Sequence, residues 1–217
     1  MKVVITGTTS GIGKAIAELF LQRGHEVHGI DILDASIAHE NYTHHVADVS
    51  VPESLPELSG VQVLVNNAGI QDDTVKAVEV NMNGTVYCTE KYAFTPDIKS
   101  VVNVVSASAH NGAEFPWYTC SKGGMLAYSK HTAQELAKYG ATCNSVSPGG
   151  VYTDINKHII EDPALMQAVL DETMLGRWAD PSEIAEWVYF LAVINKSATA
   201  QDILIDNGEM AKFNFVW

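Results

Sequence analysis

A doubly wound α/β domain, with a parallel sheet carrying helices on both faces, is the fold class this sequence predicts. Three observations predict it. Strand-like runs recur near residues 2–6, 26–30, 43–47, 61–66, 99–106, 141–147 and 202–205. Helical patterns fall between most of them, the alternation that builds parallel sheets. The first strand also runs into the first helix through a glycine-rich turn, Thr6-Gly7-Thr8-Thr9-Ser10-Gly11-Ile12-Gly13. Such a junction leaves unpaired N–H groups and the positive helix end facing outward.

Lys2-Val3-Val4-Ile5 reads as a buried strand, and Ile12, Ile16, Leu19 and Phe20 then recur at helical spacing. Gly7 permits the sharp turn, while Gly11 and Gly13 let a ligand and the strand come close to backbone. With Ser10 and Ile12 on the same turn, this is a site for a pyrophosphate. The second strand, Val27-His28-Gly29-Ile30, ends at Asp31, eighteen residues beyond Gly13. A dinucleotide fold needs an acid at about this distance, to accept both hydroxyls of the adenosine ribose. Neither Ser10 nor Ile32 supplies the Arg or Lys that would pair with a 2′-phosphate, and Asp31 would repel one. The expected cofactor is therefore NAD rather than NADP.

The next connections are short. Asp31 to the strand at 43, Asp48 to Val61, and Gly69 to Asn81 leave little room for full crossover helices. Helices between residues 31 and 81 are expected to be trimmed to turns. Near the C-terminus a helix start is explicit. Asp180 can cap, Pro181 suits the first turn, Glu183 completes a capping box, and Ile184, Trp187, Val188 and Leu191 form the buried stripe.

The 217 residues, 47% of them hydrophobic, suffice for one substantial core. No long linker, repeat or low-complexity stretch divides residues 1–217, so a single domain is expected. Met1-Lys2 leads directly into a strand, and no apolar run approaches membrane-spanning length. A cytoplasmic location without a membrane partner is the expectation. Cys88, Cys120 and Cys143 lack metal or redox spacing and read as buried free thiols. Thirteen basic residues against twenty-six acidic ones argue against a nucleic-acid partner. His39, His44 and His45 share one connection, but adjacent His44 and His45 would point to opposite sides of a strand. No metal site is expected.

Further motifs follow in order: Asp48-Val49 at a strand end, Asn66-Asn67-Ala68-Gly69 after a strand, and Val80-Asn81-Met82-Asn83-Gly84. Ser106 follows Val101-Val102-Asn103-Val104-Val105, and Tyr118-Thr119-Cys120-Ser121-Lys122 comes next. Pro148-Gly149-Gly150-Val151-Tyr152-Thr153, Gly176-Arg177 and Asp206-Asn207-Gly208 complete the series. Together they resemble the classical short-chain dehydrogenase/reductase family over nearly the whole chain. The resemblance implies a Rossmann-type sheet of seven strands in the order 3-2-1-4-5-6-7. It also implies an NAD-dependent oxidoreductase that interconverts a secondary alcohol and a ketone.

Tyr118 and Lys122 stand four residues apart, hence on one helix face. A phenol is a poor base at neutral pH, and a nearby ammonium should pull its pKa toward the working range. The resemblance makes Tyr118 the acid/base, with Lys122 also holding the nicotinamide ribose. Asn81 would bind a water linking Lys122 to a proton path. Ser106 would hold the substrate oxygen, with Ser108 as a close rival. Asp48 and Val49 would meet adenine, and Asn67, Ala68 and Gly69 the adenosine ribose. Pro148, Gly149, Val151 and Thr153 would meet the nicotinamide, Thr153 gripping its carboxamide.

His110, Glu114, Phe115, Trp117, Tyr152 and residues 154–175 should border the substrate pocket, the last as a mobile lid. Asn207 replaces a usual glycine of the family. The tail Phe213-Asn214-Phe215-Val216-Trp217 is apolar and expected to be buried, with its three aromatics on one face. A homotetramer or homodimer, formed partly through the helix carrying Tyr118 and the helix before it, is also expected. The alternatives are a non-catalytic NAD-binding sensor or scaffold, and an epimerase or dehydratase of the extended branch. Intact Asn81, Ser106, Tyr118 and Lys122 favour the dehydrogenase.

Overall fold

A computed structural model of the chain describes residues 1–213. Seven strands form one sheet: β1 (Lys2–Thr6), β2 (Glu26–Asp31), β3 (Tyr42–Val46), β4 (Val63–Asn66), β5 (Ser100–Val104), β6 (Thr142–Pro148) and β7 (Asp202–Ile205). Every pairing is parallel and the order is β3-β2-β1-β4-β5-β6-β7. The order reverses between β1 and β4, and the crevice outside their carboxyl ends is where doubly wound sheets bind ligands.

Helices cover both faces. On one lie α1 (Gly11–Gln22) and a later helix, Pro181–Tyr189, whose Ile16, Phe20, Ile184 and Val188 pack on Val3, Ile5 and Val146. On the other lie α2 (Gly84–Tyr92) and a long helix, Pro116–Leu136, with Cys88, Tyr92, Ala133 and Leu136 packed on Val4, Leu64 and Val101. Burial on both faces explains why β1, β4 and β5 read as near-continuous apolar runs rather than alternating ones.

In chain order the remaining helices are α3 (Ser108–Asn111), α4 (Pro116–Leu136), α5 (Lys157–Ile160), α6 (Pro163–Asp171) and α7 (Pro181–Tyr189). The trimmed flank is as the spacing predicts. No helix joins β2 to β3, and only a single 3₁₀ turn, Pro52–Ser54, lies between β3 and β4. Before α2, however, residues Val78–Asn83 form a π-helical stretch that runs into α2 without a break. Widened turns of this kind occur mostly at functional sites, and this one contains Asn81.

Two details depart from expectation. Cys88 and Cys143 are buried, and burial pushes both thiols up to about 12, but Cys120 is exposed. It is two residues from both Tyr118 and Lys122, so it points away from the sheet they face. Asn207, in the place of the usual glycine, adopts a left-handed backbone with φ +54°. Asn is the side chain that tolerates this region best after glycine, which accounts for the exchange. Of the aromatic tail, Phe215 and Trp217 lie outside the described residues, while Phe213 is 83% exposed. No helix among the described residues is long and apolar enough to cross a membrane.

Candidate active site

The turn between β1 and α1 is shaped by contacts that admit only glycine. Gly7 has φ +74°, and a Cβ on it would stand 2.8 Å from Asn67 Nδ2. A Cβ on Gly13 would collide with the Gly7 carbonyl and the Asn67 amide. Gly11, at φ +53°, lies under Thr153. The side chain of Ser10 makes no cap bond to α1. Its first-turn N–H groups thus point outward at the positive helix end, a cradle that fits a pyrophosphate.

Around that cradle each side chain is held in place. The Asn67 amide donates to the carbonyls of Thr6 (3.0 Å) and Gly7 (3.1 Å), tying the end of β4 to the turn. The Thr6 hydroxyl accepts from the N–H groups of Asn67 and Ala68. Asp31 Oδ2 accepts from the Thr9 N–H (3.0 Å) and hydroxyl (2.9 Å), and Oδ1 accepts from Leu33 N–H. The carboxylate is thereby locked at the end of β2, beside the turn. Asp48 Oδ1 accepts from the Ser50 N–H and hydroxyl, and Val49 is buried against Gly84.

Beyond the turn a cavity of about 150 Å³ opens at the carboxyl ends of β4, β5 and β6. Ser106, Tyr118 and Lys122 line it together, with Ile12, Asn67 and Gly69 on the cradle side. Pro148, Gly149, Val151 and Thr153 form the opposite wall. The structure therefore gathers residues from five separate segments into one site. Ile155 and Asn156, at the start of the 154–175 segment, also face the cavity.

Lys122 is buried, its Nζ donating to the Val104 carbonyl at 3.1 Å. Burial drives its pKa down to about 8, against the opposing pull of Glu114. Nζ lies over the Tyr118 ring, 5.8 Å from the centroid, rather than against the hydroxyl. Tyr118 therefore does not move in the expected direction. Burial pushes the phenol up to about 12, outweighing the nearby Ser106 hydroxyl, which draws it down.

The Asn81 side chain is committed to protein. Oδ1 accepts from Ile70 N–H (2.8 Å), and Nδ2 donates to the Ile70 carbonyl (2.9 Å) and to Ser121 Oγ (2.9 Å). It clamps the Gly69–Ile70 turn onto α4, with a Cβ on Gly69 falling 3.5 Å from Lys122 Nζ. Ser108 stands behind Ser106, the two hydroxyls 3.0 Å apart, and only Ser106 reaches the cavity wall. Trp117, Tyr152 and His110 stay outside that wall. Trp117 is exposed, Tyr152 packs on Trp178, and His110 bonds Asp202 at 2.8 Å. Gln71 is a cavity residue that the motifs do not announce, although its place two residues after the Asn-Asn-Ala-Gly turn was a usable signal.

Residues 7–209 match the family model described as enoyl-(acyl carrier protein) reductase. The chain belongs to the short-chain dehydrogenase/reductase family. It is 31% identical to the 3-oxoacyl-(acyl-carrier-protein) reductase FabG of Vibrio cholerae, over 95% of this chain and 96% of that protein. Among solved structures, the ligand-free aldohexose dehydrogenase of Thermoplasma acidophilum superposes with a TM-score of 0.88. It is 26% identical, covering 100% of this chain and 96% of that one. A protein of Agrobacterium tumefaciens solved with bound NADP gives 0.87 at 26% identity, covering 97% and 96%. Membership in this family makes the chain an oxidoreductase of a nicotinamide-dependent kind.

Proposed function

We propose that this short-chain dehydrogenase/reductase interconverts a secondary alcohol and its ketone, with NAD(H) as cofactor and Tyr118 as the acid/base. One observation carries the reading. A phenol, a buried ammonium and a serine hydroxyl converge in a single cavity that adjoins the glycine cradle.

The nicotinamide, when bound, supplies or accepts the hydride. The cradle of Gly7, Ser10, Gly11, Ile12 and Gly13 would hold its pyrophosphate, and Asp31 the adenosine ribose. Asp48, Val49, Asn67, Ala68 and Gly69 would line the adenosine end, and Pro148, Gly149, Val151 and Thr153 the nicotinamide end. In the reducing direction the Tyr118 hydroxyl gives its proton to the carbonyl oxygen, and in the oxidising direction it takes it back. Ser106 donates a hydrogen bond to the same oxygen and fixes its position. Lys122, anchored on Val104, places positive charge beside the ring of Tyr118 and stabilises the phenoxide form. Asn81 acts through position, holding the Gly69–Ile70 turn next to Lys122. Residues 154–175 would close over the substrate.

The preference for NAD rests on Asp31. Its carboxylate meets the ribose edge with negative charge, and neither Ser10 nor Ile32 offers a cation for a 2′-phosphate. The A. tumefaciens relative holds NADP, so the point needs direct measurement. We expect NADP(H) to bind at least about tenfold more weakly than NAD(H), a cost of roughly 1.4 kcal/mol. Equal or tighter NADP(H) binding contradicts it.

The activity is tested by NADH formation from NAD⁺ with a panel of secondary alcohols. Tyr118→Phe should lower turnover at least about 100-fold while leaving NADH binding nearly unchanged, because only the hydroxyl moves the proton. A Phe variant that turns over like the parent removes Tyr118 from the chemistry.

A further inference from the structure

Gln71 and Glu114 face the cavity beside Ser106, Tyr118 and Lys122, and no step described above uses them. They are forty-three residues apart in sequence and joined by one hydrogen bond, Gln71 Nε2 donating to Glu114 Oε2 at 2.6 Å. Gln71 comes from the loop after β4, Glu114 from the loop before α4. Their bond occupies a donor of the amide. What the pair then offers the cavity is two acceptors, the Gln71 carbonyl oxygen and the second Glu114 carboxylate oxygen, neither with a protein partner among the described residues, together with the second N–H of the Gln71 amide. The Glu114 charge is felt inside the site, since it raises the pKa of both Tyr118 and Lys122.

A ligand whose reacting oxygen sits at Ser106 and Tyr118 therefore meets acceptors that call for hydrogen-bond donors. It also meets a negative charge that rejects carboxylates and phosphates. An ammonium would satisfy the acceptors but would stand near the ammonium of Lys122. Hydroxyl groups satisfy them at no cost in charge.

Building on the hydride-transfer reading above, we infer that the substrate is an uncharged polyhydroxylated alcohol. It carries at least one further hydroxyl near the carbinol that reacts, and Gln71 and Glu114 bind that hydroxyl and set specificity.

The test compares NAD⁺ reduction by the parent, Gln71→Ala and Glu114→Gln with four probes: an alditol, cyclohexanol, a 2-hydroxy acid and a 2-amino alcohol. Glu114→Gln keeps the size of the side chain and removes its charge. The alditol should exceed the other probes in kcat/KM by at least about tenfold. Glu114→Gln should raise the alditol KM by about 10- to 100-fold, as for the loss of a hydrogen bond to a charged group, and Gln71→Ala by about 2- to 10-fold, as for a neutral one, each with a smaller change in kcat. The proposal is overturned if another probe is preferred, or if the variants depress kcat/KM for every probe by one common factor. If no probe is turned over, the hydride-transfer reading fails and binding decides the proposal instead. An alditol-dependent rise in thermal midpoint with NADH present, lost in both variants, sustains it, and no such rise overturns it.

Discussion

Burial acts on the two central side chains of the site in opposite senses. It holds Tyr118 protonated up to about 12 and strips the charge from Lys122 above about 8. Ketone reduction draws on the phenol, so its rate should be flat from about pH 6 to about pH 8 and fall above that as the ammonium is lost. Alcohol oxidation draws on the phenoxide, so its rate should climb over the same interval. Rate profiles measured in both directions check the pair of signs. A reduction rate that rises with pH through neutrality contradicts them. The four-residue spacing of Tyr118 and Lys122 was legible in the sequence, as were the glycines and Asp31. The direction of the Tyr118 shift was not, because burial is a property of the assembled fold rather than of neighbours in sequence. Gln71 was missed for a related reason. Its partner, Glu114, lies far away in the chain and meets it only once β4 and α4 are in place.

Individual elements were written more plainly. The seven strand runs emerge as seven strands, and the central ones, β1, β4 and β5, are the clearest because a strand buried on both faces needs a nearly uninterrupted apolar segment. The π-helical stretch around Asn81 was hidden, since one extra residue in a helical turn barely alters a 3.6-residue pattern. At the start of α7 the capping signal was half the story. Glu183 accepts from the Asp180 N–H at 2.8 Å as expected, and Arg177 also grips it through two nitrogens. Arg177 first, and then the Asp180 N–H, hold the Glu183 carboxyl down from 4.5 to about 2. A carboxyl lowered by folding adds stability that is complete above its unfolded value and is lost as pH falls toward the folded one. The pair is solvent-exposed, so screening keeps its contribution small. Glu183→Gln retains a capping amide and removes the charge. Its thermal midpoint should lie slightly below that of the parent near pH 7, and the gap should narrow as pH falls below about 4. A gap that widens in acid overturns this account of the helix start.

For the molecule as a whole, the sheet order was implied by the family resemblance and is what the fold adopts, with the site at the β1/β4 reversal. Assembly is a different matter. The sequence pointed to an interface through α4 and the helix before it. Trp187, which the helical spacing assigns to the buried stripe of α7, is 43% exposed, and with Phe190 (43%) and Ile194 (57%) it forms an exposed apolar group on α7 and its continuation. Trp187 and Phe190 stack edge-on with centroids 6.3 Å apart, and the spacing of the three puts them on one helical face. Contiguous apolar surface of this kind on a domain is characteristic of a contact with another copy. A stable dimer needs about 800 Å² from each partner, so this face would be the centre of a larger contact. Light scattering should accordingly find an oligomer at micromolar concentration, and Trp187→Glu should shift it toward monomer. The substituted residue is part exposed in the single chain, so the variant should keep its fold by circular dichroism. An oligomer untouched by that change would place the contact elsewhere, with α4 the first surface to test. A parent protein that runs as a monomer would refute assembly altogether.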